Sequence, residues 1–181
     1  PTEGAMAYLY GLLAHYALDS ICQPFIQRNT NEKRTPTQIY TEFDRYLLVV
    51  DGKKPAYLYD ASRHMALTVG ESETVARFYS GVSAAQVRQF TKNMAKTTHS
   101  LVMPKDASRK VRLAFLHLTA PKTAQRVVGL HPNRDCVGLN LSMLRLYELA
   151  LRRYDVLLDQ LMAHLRSNAP LGVDFAAPFG E

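Results

Sequence analysis

Apolar residues recur at helical spacing along most of the chain, broken by turns marked with proline and glycine. That pattern predicts an all-α fold. Over residues 3–26, Met6, Leu9, Leu13, Tyr16 and Leu18 set the first helical run, which Pro24 is expected to kink or end because it lacks a backbone N–H. Residues 27–34 are polar and read as a loop. Thr35-Pro36 is a helix start, with threonine as cap and proline in the first turn. The second helix then runs to about Val50 and stops at the turn signal Asp51-Gly52. Residues 53–70 are irregular, with a short helix expected over 62–67, and another short helix is expected over 71–80. Ser83 caps a longer helix over 84–101, with Val87, Phe90, Met94 and Leu101 on one face. A further helix is expected over 104–118, with Val111, Leu113, Leu116 and Leu118 apolar and Arg109, Lys110 and Arg112 turned to water. Residues 121–136 read as loop with one brief helical turn. The strongest periodicity falls over 141–167, where Leu144, Leu151, Tyr154, Leu158, Leu161 and Leu165 form a stripe opposite Arg145, Arg152, Arg153 and Asp159. After Pro170 the tail is irregular, and no internal repeat, low-complexity tract, P-loop or sustained strand alternation interrupts the helical reading.

With 181 residues the chain is expected to form one domain, 1–181, long enough to bury a proper core. It opens at Pro1 without methionine, as a cloned or processed fragment would. A content of 47% hydrophobic and 21% charged residues is that of a soluble globular protein. Residues 5–14 are apolar but lack a basic leader and a cleavage site, and they are too few to span a bilayer. A cytoplasmic location is therefore favoured. The formal charge of +6 points to anionic partners such as a phospholipid membrane surface. Specific nucleic-acid binding is not expected, because no aromatic stacking platform interleaves the basic residues. Cys22 and Cys136 make neither a zinc-ribbon spacing nor a disulfide framework, and a single bridge between them stays open.

Chemistry concentrates at His15 and Asp19, four residues apart in the first helix. That spacing sets an imidazole and a carboxylate on one face, one turn apart. Two readings compete: a hydrogen-bonded pair that orients the helix, or half of a metal site. Other constellations are weaker. Thr98-His99-Ser100 puts hydroxyls beside an imidazole, but neighbours on a helix point apart and no orienting acid is evident. Cys22 lies two turns from His15, too far for a direct bond. His64 reads as a surface or turn histidine, and residues 131–135 as an exposed loop without ligand spacing.

The run His15-Tyr16-Ala17-Leu18-Asp19-Ser20-Ile21-Cys22-Gln23-Pro24, followed by Glu42-Phe43-Asp44-Arg45 and Asp51-Gly52, resembles the bacterial zinc-dependent phospholipase C family, most closely its clostridial-type branch. The likeness extends through Val128-Gly129-Leu130, Asn140-Leu141 and Leu146-Tyr147 to the ending Asp174-Phe175 and Phe179-Gly180, though only the first fifty or so residues carry specific motifs. There are departures. Gln23 stands where the family's helix has histidine. The family's His-x-x-x-Glu falls on Gln38 and Glu42 in one register, and on Pro36 and Tyr40 in the other, and no histidine occurs between His15 and His64.

The resemblance implies an all-helical phosphodiesterase that holds zinc and cleaves phospholipid or another phosphodiester. His15, Asp19 and Glu42 would then be the metal ligands, with Asp19 and Glu42 also counted in the catalytic centre. Asp44 would support them, paired with Arg45 or another arginine. Because glutamine is a poor zinc ligand, the metal site is expected to be atypical or depleted. The alternative is a non-catalytic binding protein on the same fold, in which Gln23 and Gln38 supply amide groups where the ion would sit.

Overall fold

The computed structural model describes residues 2–176, so the Phe179-Gly180 ending lies outside the described residues. Seven α-helices form and no strand does among them, as the periodicity predicted. They are α1 (Glu3–Asn29), α2 (Pro36–Val50), α3 (Val69–Ala76), α4 (Ala84–Ser100), α5 (Ala107–Thr119), α6 (Pro121–Ala124) and α7 (Asn140–Ser167). Short 3-10 turns stand at Ala56–Leu58, Ala61–His64, Val137–Leu139 and Val173–Ala176. No helix among the described residues is long and apolar enough to cross a membrane.

Caps decide most of the boundaries. Thr35 and Gln38 close a reciprocal capping box at the start of α2, Thr68 and Glu71 at α3, and Ser83 and Gln86 at α4. Each box satisfies two backbone donors that a helix start leaves unpaired. The box at Thr68 moves α3 two residues ahead of its expected start, and the helix is over by Ala76. Asp106 caps α5 by accepting from the Arg109 N–H, so the helix begins at Ala107, three residues after its expected start. Pro24 does not end α1, which continues for five more residues to Asn29. Cys22 and Ile26, on either side of it, are buried. Burial of such side chains offsets the roughly 3 kcal/mol that an internal proline costs a helix.

The contacts divide the chain into two compact units, residues 1–32 with 141–181, and residues 33–140. In the first unit, Leu13, Tyr16 and Ala17 of α1 and Leu157 of α7 make the core, flanked by Tyr154, Leu158, Leu161 and Phe175. The tail is tied into it. Tyr16 Oη and Arg153 Nη2 both donate to the Asp174 carbonyl, at 2.8 and 3.0 Å, and the rings of Tyr16 and Phe175 stack with centroids 6.2 Å apart. Asn140, Met143, Ala150 and Leu157 of α7 are buried, while Leu151 and Leu165 of the expected stripe face water. Tyr154, Leu158 and Leu161 of that stripe do flank the core, and leucines on both sides of the helix blur which face turns inward.

In the second unit, α2 buries Ile39, Glu42 and Phe43 on one face. Helix α5 departs most from expectation. Val111 and Leu118 are exposed, and Arg109 is buried. Its guanidinium donates to the Met103 carbonyl and, at 2.8 Å, to the Val128 carbonyl, and it lies 5.5 Å from the Tyr57 ring centroid. One side chain thus ties the turn before α5, the segment after α6 and the 3-10 turn at Ala56–Leu58. On α4 Val87 is buried, but Phe90 and Met94 are exposed.

Candidate functional site

His15 and Asp19 are brought together as their spacing requires, with His15 Nε2 at 3.3 Å from Asp19 Oδ2. The pair is not in a core. The His15 side chain is 62% exposed, so the interaction sits at the surface of α1. Gln23 is half-buried one turn further along, and His64 is exposed at the end of its 3-10 turn. Cys22 and Cys136 are both buried free thiols. Burial, with Asp19 nearby, pushes the Cys22 thiol up to about 11.

Glu42 has a different environment from the one the resemblance implies. It is 3% exposed, in the middle of the buried face of α2. Its Oε2 accepts from Arg45 Nε at 2.9 Å and from the Asn133 N–H at 2.8 Å. Its Oε1 accepts from Arg45 Nη2 at 2.7 Å and from Asn140 Nδ2 at 3.1 Å. Burial alone would raise the carboxyl's pKa. The hydrogen bonds from Arg45, Asn133 and Asn140, with the arginine's charge, outweigh it and hold the group below its usual range. A carboxylate has about four lone-pair sites, and donors occupy all of them here. The group therefore does not fit as a zinc ligand without breaking this cage. Arg45 is committed to Glu42 rather than to Asp44, and Gln38 closes the α2 cap by accepting from the Thr35 N–H at 2.9 Å. Among the described residues, no three His, Cys, Asp or Glu side chains gather as metal ligands would. The one sequence signal for the cage was an acidic residue inside the 39, 42, 43 apolar face with an arginine three positions on.

The opposite face of α2 opens onto a cleft of about 720 Å³, within the second unit. Tyr40, Asp44, Leu47 and Leu48 of α2 line one wall, and Tyr57, Tyr59, Met65, Leu101, Val102 and Val128 lie around the rest. Asp44 is accessible to solvent yet surrounded by protein, and this partial desolvation raises its carboxyl's pKa. At the edge, Asp60 Oδ2 lies 2.8 Å from His99 Nδ1, with the neighbouring residues Ala61 and Thr98 in the cleft lining. Asp60 is held down to about 2, first by the Ser62 hydroxyl and then by His99. An orienting acid for His99 thus exists, 39 residues away in sequence, where no local pattern could reveal it. Ser100 Oγ donates to the Thr97 carbonyl at 2.6 Å, so this serine completes no nucleophilic relay with the pair.

Comparison with known proteins yields no family model, no curated sequence and no solved structure that matches the chain. The likeness to zinc-dependent phospholipases C therefore rests on the quoted residues alone.

Proposed function

We propose that this chain is a non-catalytic binding protein that takes a small, largely apolar molecule into the cleft between α2 and the 3-10 turn at Ala56–Leu58. The cleft itself carries the reading. Its volume of about 720 Å³ and its tyrosine- and leucine-rich lining are those of a small-molecule pocket with few polar groups. Arg109, which fixes Tyr57 and Val128 at its wall, supports a cleft already formed before a ligand arrives. Zinc plays no part in it.

The hydrolase reading retains one supporting observation, the 3.3 Å contact of His15 with Asp19. A catalytic zinc needs about three protein ligands, and Glu42 is spent elsewhere. If the cleft binds, 4-phenylbutanol added to isotope-labelled protein should give saturable amide shifts around Tyr40, Leu48, Tyr57 and Leu101. The affinity expected for so small a probe is millimolar or tighter, about −4 kcal/mol. Leu48→Trp, which fills the cleft, should abolish the shifts while leaving the fold's spectrum intact. Absence of saturable shifts in the parent, or shifts unaffected by Leu48→Trp, would refute this function.

A further inference from the structure

We propose that the cleft accepts an amphipathic organic cation, an apolar body ending in an ammonium group, with Asp44 as its counter-ion. The inference rests on the cleft being a binding site.

Asp44 is the one acidic residue in the lining. It makes no hydrogen bond or ion pair to any described residue. The cation beside it in sequence is not available, since Arg45 donates twice to Glu42. Helix α2 thus divides its two carboxylates between opposite faces. Glu42 is saturated with donors on the buried side, and Asp44 is left without a partner on the cleft side, one turn beyond Tyr40 and one before Leu48.

A carboxylate serves no packing purpose among these residues. A neutral ligand covering it would strip its water and return nothing, which costs free energy. An ammonium ion would supply the missing charge and donors together. The tyrosines of the lining, Tyr40, Tyr57 and Tyr59, suit the same ligand, because the faces of aromatic rings attract cations. The lining also holds one cation, Arg126, whose residue is exposed. It would favour a ligand with a carboxylate instead, so the two charges make opposite demands that an experiment separates.

Three isosteric probes decide it: 4-phenylbutylamine, 4-phenylbutanol and 4-phenylbutyrate, each titrated into the parent protein and into Asp44→Asn. The amine is expected to bind at least about tenfold more tightly than the alcohol, a difference of about 1.4 kcal/mol. Asp44→Asn should remove that advantage. Because Asp44 bonds to no described residue, the variant should keep the parent's unfolding midpoint. Equal binding of amine and alcohol, tighter binding of the acid, or an amine preference that survives in Asp44→Asn would each overturn the proposal while leaving the cleft a binding site. Failure of all three probes to bind would remove both readings.

Discussion

Glu42→Gln is expected to lower the unfolding free energy by about 3–5 kcal/mol, the usual cost of breaking a buried ion pair by removing one partner. The amide cannot reproduce the cage. Its nitrogen accepts nothing, so two of the four donors that now meet the carboxylate lose their partner. Arg45, whose side chain is 11% exposed, also loses its counter-charge. Urea unfolding followed by circular dichroism should show the midpoint fall by about 1 M or more. The pH dependence has a definite sign. Glu42 is held below its ordinary value of 4.5 in the fold, so its contribution is fully present above that value. It is lost as pH falls through the lower folded value, because the unfolded chain then binds the proton more readily. The parent should therefore lose stability below about pH 4.5 more steeply than Glu42→Gln does. A loss under about 1 kcal/mol in the variant would mean that the carboxylate is not the hub of this cage.

Arg109→Met should cost about 2–4 kcal/mol, even though methionine fills much of the same volume. The Met103 and Val128 carbonyls would be left without their donor, at about 1–3 kcal/mol each before relaxation. The contact with the Tyr57 ring would go as well, worth about 0.5–2 kcal/mol. Because those groups adjoin or form the cleft wall, the same substitution should weaken 4-phenylbutanol binding. Arg112→Met is the control. Arg112 is exposed and makes one hydrogen bond, to the Ser100 carbonyl at 3.1 Å, so a change within about 0.5 kcal/mol is expected there. Equal effects from the two substitutions, read from urea midpoints, would contradict the place given to Arg109.

Helix starts were legible wherever a cap was local. Thr35-Pro36 and Ser83 announce α2 and α4 from within four residues, and the structure puts both helices there. Which face of a helix turns inward was much less so. On α5 the apolar residues Val111 and Leu118 lie in water and Arg109 lies inside. An arginine on an amphipathic helix is ordinarily solvated, and the carbonyls of Met103 and Val128 and the ring of Tyr57 make its burial favourable. The site residues divide in the same way. His15 and Asp19 meet because helical geometry alone puts them one turn apart. Glu42 stands out only through the run Glu42-Phe43-Asp44-Arg45 that carries the family resemblance, and its partners Asn133 and Asn140 come from about ninety residues on, so its role could not be read locally. The cleft was invisible in the sequence for that reason too. Its lining is gathered from α2, two loops, α4 and the segment after α6, and no stretch of chain contains its pattern.

The zinc content of purified, unchelated protein separates the two readings of function most directly, measured beside His15→Ala and Asp19→Ala. With Glu42 enclosed by four donors, the parent is expected to carry well under one zinc per chain, with no change in either variant. About one or more zinc per chain, lost in both variants, would contradict the zinc-free binding-protein reading and make the His15–Asp19 pair a metal site to be assayed for phosphodiester hydrolysis.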